Sequence, residues 1–130
     1  MTLPVPITAL YAGILGLMFL ALEIPIGVMR TRTNTSLGDG GNPILTVAIR
    51  RHANFVEHVP LALLLIALLE LNGAGHGLLH VLGTALVLAR LMHPFGLDIH
   101  VMRRPPRGLG AATTSLVILV ASVALVWRVL

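Results

Sequence analysis

Arg50, Asn54 and Glu57 are the residues of this sequence whose types and spacing point most directly to chemistry. Steps of four and three residues place all three within about 60° on one face of a helix. A guanidinium on such a face binds anionic groups through paired, planar hydrogen bonds. Pro60 follows on the same segment and leaves the carbonyl oxygen of Val56 without its partner within the helix. The pattern predicts a polar site in a bent helix.

The composition places this site in a membrane. Of the 130 residues, 56% are hydrophobic and 11% are charged, and the mean hydropathy is +0.93. An average soluble domain carries about 25% charged residues, and a domain of this size cannot bury so much apolar surface. The composition therefore indicates an integral membrane protein.

The charged residues and the missing cysteines argue against other classes. All nine basic residues are arginines, the formal net charge is +4, and the arginines are scattered among apolar runs, so we predict no nucleic-acid partner. The absence of cysteine excludes a disulfide framework, a thiolate metal site and a cysteine nucleophile. Any thiol chemistry must therefore arrive with a substrate.

Four apolar segments predict four transmembrane helices, because 18 or more such residues can span a bilayer. Asn42 and Pro43 are typical of a helix start, and Asn72-Gly73 of a helix end. Pro94 is expected to mark the end of the third helix. We predict a single all-α four-helix membrane domain over residues 1–130, with helices at about 4–29, 43–71, 75–93 and 108–127.

The arginines also predict an orientation. Cytoplasmic loops carry the excess of basic residues. Seven of the nine arginines flank the first and third connections, whereas the second connection has none. We predict that the two long loops face the cytoplasm and that both termini are periplasmic.

Glu23, Glu57 and Arg90 are expected to share one layer, about 10 Å below the cytoplasmic surface by the helical rise. An ionised side chain in lipid costs about 2.5–3.5 kcal/mol, so such residues usually face the bundle interior and pair. One explanation is that the pairs simply hold the helices together. Another is contact with anionic headgroups, which suits Arg32 and Arg103. The arginines at this end outnumber the acids by seven to three, which favours a bound anionic ligand.

The histidines carry weaker signals. His76 and His80 are four residues apart and could bind a metal, but no third ligand accompanies them, so no metal site is predicted. His93, one turn beyond Arg90, is expected to line the same cavity. Tyr11 is placed too far from the arginines to act with them. Close helix packing is expected at Gly110, Ala111, Ala112 and Ala121.

Four motifs in order carry a resemblance to a known family. Residues 50–57 give R-x-H-x-N-x-x-E with Pro60 after it, residues 90–93 give R-x-x-H, and residues 103–107 give R-x-P-x-R. Asn-Pro precedes the second helix. Over essentially the whole chain this pattern resembles the MAPEG family, the membrane-associated proteins of eicosanoid and glutathione metabolism, which includes microsomal glutathione transferases. The loop G-D-G-G-N-P and the hairpin L-L-E-L-N-G are most similar to its small bacterial branch.

The resemblance implies a homotrimer of four-helix subunits in the bacterial inner membrane, with glutathione as co-substrate between neighbouring subunits near the cytoplasmic side. A lipophilic electrophile would arrive from the surrounding membrane lipids. Arg107 matches the arginine that stabilises the glutathione thiolate. The glutathione-binding positions implied are Arg30, Arg50, Asn54, Glu57, Arg90, His93 and Arg103.

Two departures from the family pattern limit the activity that is expected. Prostaglandin-synthase-type members carry a tyrosine four residues after the histidine of the third helix, where this chain has Leu97. They also carry a serine after the activating arginine, where this chain has Gly108. Thiolate stabilisation therefore depends on Arg107 alone. The expected function is a glutathione transferase or glutathione-dependent peroxidase. The alternative is a MAPEG-like trimer without catalysis that binds a lipid or another anionic metabolite.

Overall fold

The computed structural model describes residues 4–96 and 105–130. Within these ranges the ordered elements are four helices and no strands, and all four helices are long and apolar enough to cross a membrane. The predicted all-α, four-helix membrane architecture is confirmed. Leu97 and Arg103 lie outside the described residues. The helices are α1 (Pro6–Thr33), α2 (Pro43–Leu71), α3 (His76–Phe95) and α4 (Pro105–Val129).

The second helix begins and ends where its local signals place it. The Asn42 side-chain oxygen accepts the backbone N–H groups of Ile44 at 3.0 Å and Leu45 at 3.3 Å, which satisfies donors that have no partner inside the helix. Pro43 occupies the first turn, where its missing N–H is not needed. After Leu71 the chain turns through Gly73 at a positive φ of 71°.

The first helix is longer than predicted. It continues past Pro25 to Thr33, four residues beyond the expected end at residue 29. The left-handed residue Asn34, with φ of 49°, ends it, and the next N–H, that of Thr35, bonds to the Arg30 carbonyl oxygen at 3.0 Å. Arg30 therefore lies in the last turn of α1 rather than in the loop.

The third and fourth helices also extend beyond their predicted bounds. Helix α3 passes through Pro94 to Phe95, and α4 begins at Pro105 rather than at residue 108. Prolines are tolerated in the first turn of a helix because the first N–H groups have no intrahelical acceptor. Arg107 is consequently held by helical backbone in the first turn of α4.

All four helices contribute to one apolar core. Leu15, Ile66, Leu86 and Ala121 are each 1% exposed or less, one from each helix. We call the end where α1 and α3 finish and α2 and α4 begin the arginine-rich end, and the other the opposite end. Because lipid provides little hydrophobic driving force between helices, close backbone approach is needed to hold them together.

Small residues provide that close approach at two helix contacts. A Cβ atom at Gly83 would overlap the ring of Tyr11, and one at Gly110 would lie 2.7 Å from the Ala89 carbonyl oxygen. Gly110 and Ala121 are buried, as expected. Ala111 and Ala112 are exposed because they lie on the outer side of α4. The expectation of close helix packing is therefore wrong for these two positions within this chain.

Candidate functional site

Arg90 is the centre of the polar interior at the arginine-rich end. It is only 2% exposed. Its Nη1 donates to the Asn54 side-chain oxygen at 2.9 Å. Its Nη2 donates to the Gly110 carbonyl oxygen at 3.1 Å and to the Thr114 hydroxyl oxygen at 2.6 Å. One guanidinium on α3 thus links α2 and α4. The sequence patterns marked Gly110 only as a packing position and did not mark Thr114.

The partners of Arg90 correct the expected pairing with carboxylates. All three of these acceptors are neutral oxygens. Glu57 is exposed because it lies three residues, or about 60° around the helix, from Asn54, the side chain that faces Arg90. Glu23 is also exposed and makes no ion pair or hydrogen bond with the residues that the structure describes. Among the residues that the structure describes, the charge of Arg90 is therefore held by dipoles, with no carboxylate paired to it.

Glu23 and Glu57 do not lie at the same depth, so the prediction that they share one layer is wrong. The rings of Phe19 and His52 lie 4.7 Å apart, so His52 forms a contact between the antiparallel helices α1 and α2. Glu23, four residues further along α1, is therefore close to the level of Arg50. Glu57 lies about 10 Å deeper along α2 by the helical rise.

Arg50 and Glu57 share one face of α2, as their spacing predicts. The guanidinium Nη1 lies 4.0 Å from the carboxylate Oε1, and the two side chains are 59% and 51% exposed. A pair this long and this exposed contributes little to stability. Both groups keep most of their hydrogen-bonding capacity on the outer surface of the chain.

His93 and Arg107 extend the basic interior toward the end of the bundle. His93 is 4% exposed and lies on α3 one turn beyond Arg90. Arg90, Arg107 and His58 all lie within electrostatic range of its imidazole. The His58 Nδ1 in turn lies 2.9 Å from the Asn54 carbonyl oxygen. We call His58, Arg90, His93 and Arg107 the basic cluster.

Arg30 is used locally. Its Nη1 donates to the carbonyl oxygens of Thr35 at 3.3 Å and Ser36 at 3.2 Å, which fastens the loop that follows α1. No hydrogen bond joins Arg30 to the basic cluster within the described ranges. The structure therefore brings Arg90, His93 and Arg107 into one region and joins Asn54 to Arg90. It places Arg50 and Glu57 on the exposed side of α2 and leaves Arg30 at the end of α1, bonded to the loop that follows.

The opposite end holds separate polar contacts. The Tyr11 hydroxyl lies 2.9 Å from His80 Nδ1 and 2.9 Å from the Thr84 hydroxyl, far from the arginines, as its sequence position predicts. His80 is thereby occupied by a helix contact. Over residues 4–96 and 105–130, no three His, Cys, Asp or Glu side chains group closely enough to hold a metal ion.

Glu70 has a structural role that the sequence patterns left unassigned. Its carboxylate accepts the backbone N–H groups of Ile7 at 2.9 Å and Thr8 at 2.7 Å, and the Thr8 hydroxyl at 2.6 Å. An acid from the last turn of α2 thus caps the first turn of α1, which has no side-chain cap of its own. The only local signals are an acid near the end of α2 and a threonine near the start of α1.

Four membrane-length helices with a basic cluster toward one end define an integral membrane protein. The chain belongs to the MAPEG family, whose sequence model matches residues 8–127. It is 33% identical over 114 residues to "Inner membrane protein YecN" of Escherichia coli strain K12, covering 88% of this chain and 87% of that protein. The protein of the same name in E. coli O6:H1 matches to the same extent. No solved structure matches this chain.

Proposed function

We propose that this protein is a membrane-embedded, glutathione-dependent transferase or peroxidase that presents a glutathione thiolate to a lipophilic electrophile. The observation that carries the proposal is the burial of Arg90, which is held by neutral acceptors and lies one turn from His93, with Arg107 within electrostatic range of His93. The MAPEG family includes glutathione transferases, which makes an anionic thiol peptide the natural candidate.

The physical argument is one of charge. Placing a guanidinium away from water is costly unless its charge is compensated. Neutral oxygens meet the hydrogen-bonding needs of Arg90 in part, but its Nε finds no acceptor among the described residues. Bound carboxylates would supply the missing negative charge. Glutathione brings two carboxylates and one amino group, and Glu57 is the acid placed to accept from that amino group.

The exposed pair on α2 supports assembly as a homotrimer. Arg50 and Glu57 are more than half exposed on a helix long enough to span a membrane. In lipid, such a surface would cost about 2.5–3.5 kcal/mol per ionised group. A neighbouring copy that covers this face would remove the cost and enclose glutathione between subunits. Arg50 then binds a carboxylate and Asn54 keeps Arg90 oriented.

Arg107 is assigned the stabilisation of the thiolate. A free thiol has a pKa near 8.5 and is mostly protonated at neutral pH, and a nearby cation lowers that pKa. The first turn of α4 adds the favourable dipole of a helix N-terminus. The proton leaves to solvent, and the sulfur forms a bond to the electrophilic carbon while the leaving group departs with its electron pair. The protein thereby contributes position and charge rather than a covalent nucleophile.

The location of the site suits a lipophilic partner. The basic cluster lies toward one end of helices that are otherwise apolar, so an electrophile dissolved in the bilayer can reach the sulfur sideways. We place the protein in a bacterial inner membrane, as the name of the E. coli relative states for that protein. The arginine-rich end faces the cytoplasm, where basic loops are retained.

A second candidate is a trimer that binds a lipid or another anionic metabolite without catalysis. The position of Tyr11, the single tyrosine of the chain, favours this candidate. Tyr11 is hydrogen-bonded at the opposite end, so no tyrosine of the same chain can assist Arg107. The two candidates differ in whether a bound thiol becomes ionised.

Titration of the purified protein with glutathione tests the proposal. We expect calorimetric binding at millimolar glutathione or below, together with the ultraviolet absorbance of a thiolate. S-methylglutathione is the matched ligand control, since it keeps the carboxylates and cannot ionise at sulfur. Binding of both ligands without a thiolate band would favour the second candidate, and no binding of either would refute a glutathione site.

A further inference from the structure

Gly96, the residue that ends α3, packs directly on Arg107. A Cβ atom at Gly96 would overlap the Arg107 backbone nitrogen and would lie 2.7 Å from its Cβ and 2.8 Å from its Cα. Side-chain carbons essentially never approach so closely. Residue 96 can therefore carry no side chain unless the first turn of α4 moves away.

The backbone conformation of Gly96 does not itself require glycine. Its φ of −92° and ψ of −3° lie in a region that other residues adopt. The demand for glycine comes from the neighbouring helix alone. The atoms in the way belong to backbone and Cβ, so the contact cannot be relieved by rotation of a flexible side chain.

Gly96 also connects Arg107 to the rest of the basic cluster. Its N–H donates to the His93 carbonyl oxygen at 3.2 Å, which joins it to the turn of α3 that carries His93. Further along α4, a Cβ at Gly110 would lie 3.1 Å from His93 Cβ. The start of α4 thus packs against the end of α3 at Gly96 and at Gly110, and His93 contacts both glycines.

We propose that Gly96 is a positioning residue that sets the distance between Arg107 and the ligand held by Arg90 and His93. The inference rests on the proposed function, in which Arg107 stabilises the thiolate. A methyl group at position 96 displaces the Arg107 backbone and carries the guanidinium away from the sulfur. The described residues to which the proposed function assigns the carboxylates, Arg50 and Arg90, lie on α2 and α3 and stay in place. The substitution should therefore reduce thiolate formation and leave ligand affinity nearly unchanged.

The test compares Gly96→Ala with alanine substitutions at two other glycines, one with open space around its Cβ position and one that clashes far from Arg107. Gly108→Ala lies next to Arg107 in sequence, but its Cβ would meet no heavy atom of the described residues within 4 Å. Gly83→Ala introduces a clash with Tyr11 at the opposite end, which perturbs packing without touching Arg107. For each protein, thiolate absorbance at saturating glutathione, calorimetric Kd and melting temperature are measured.

We expect Gly96→Ala to shift the apparent pKa of the bound thiol upward by about one unit, a tenfold change in the thiolate equilibrium, with Kd within about threefold of wild type. Gly108→Ala should match the wild type in all three measurements. Gly83→Ala should lower the melting temperature and keep the thiolate band.

Four results decide against the inference. A wild-type thiolate band in Gly96→Ala would overturn it. Parallel losses of thiolate band, affinity and melting temperature in Gly96→Ala would show a packing role instead. Failure of both Gly96→Ala and Gly96→Ser to fold, while Gly83→Ala folds, would show the same. A wild-type protein without a thiolate band would refute the proposed function, and the inference with it, whereas a band that ignores Gly96→Ala refutes the inference alone.

Discussion

Arg90 and Asn54 are joined by a hydrogen bond of 2.9 Å from the guanidinium Nη1 on α3 to the side-chain amide oxygen on α2. The bond ties the buried cation to the helix face that carries Arg50 and Glu57. Because the amide is neutral, it orients the guanidinium without cancelling its charge. A carboxylate at the same position would keep the orientation and remove the charge, so the pair offers a direct test of which property matters.

Asn54→Asp should preserve the fold and weaken glutathione binding by at least about tenfold, or ~1.4 kcal/mol, because the new carboxylate neutralises Arg90. Isothermal titration calorimetry measures the change. Asn72→Asp, at the opposite end, is the control and should bind as wild type does. Unchanged affinity in Asn54→Asp would show that the charge of Arg90 does not bind the ligand.

Arg107→Ala should abolish the thiolate absorbance of bound glutathione and leave Kd within about threefold, because Arg107 acts on the sulfur rather than on the carboxylates. Ultraviolet difference spectra at saturating ligand provide the measurement. Arg128→Ala is the control, because it also removes one positive charge but lies at the opposite end, where the Arg128 guanidinium donates to the Asn72 carbonyl oxygen. Persistence of the band in Arg107→Ala would assign thiolate stabilisation to another group.

Glu70→Ala should destabilise the N-terminal turn of α1 by about 1–3 kcal/mol, because three donors on Ile7 and Thr8 lose their acceptor. Amide hydrogen exchange at these two residues should accelerate, while glutathione affinity stays at the wild-type value. Glu70→Gln keeps an acceptor oxygen and should show a smaller effect. Equal exchange rates in Glu70→Ala and wild type would mean that the cap contributes nothing.

The loop between α1 and α2 should respond to acid through Asp39. The Thr46 hydroxyl, at 2.5 Å, and the Gly41 N–H lower the pKa of this carboxyl below its usual value of 3.8. A lowered pKa means that the carboxylate stabilises the loop fully above pH 3.8 and that this contribution is lost as the pH falls through the lowered value. The Gly41 amide resonance should report the transition. Asp39→Asn should remove it, and a transition that survives in Asp39→Asn would belong to another group.

The sequence by itself determined the four helices and the bounds of α2, because apolar length and helix caps are local properties. Asn42 caps the helix that it was predicted to cap, and Gly73 follows its end. Helical periodicity also determined that Arg50 and Glu57 share a face, since the angle between residues depends only on the helix to which both belong. The other bounds depart from the prediction for separate reasons: α1 continues to the left-handed Asn34, α3 continues through Pro94, and α4 contains Pro105 in its first turn, where a missing N–H costs little.

Only the tertiary structure decided which groups meet. The periodicity of one helix says nothing about how that helix is rotated against its neighbours, so Arg90 could not be paired in advance with Asn54 and Thr114. The same holds for Glu70, whose partners are backbone N–H groups of α1. The sequence identified Arg107 as a candidate by its residue type. Its contact with Gly96 could not be predicted, because a close approach between two helices depends on how both are placed.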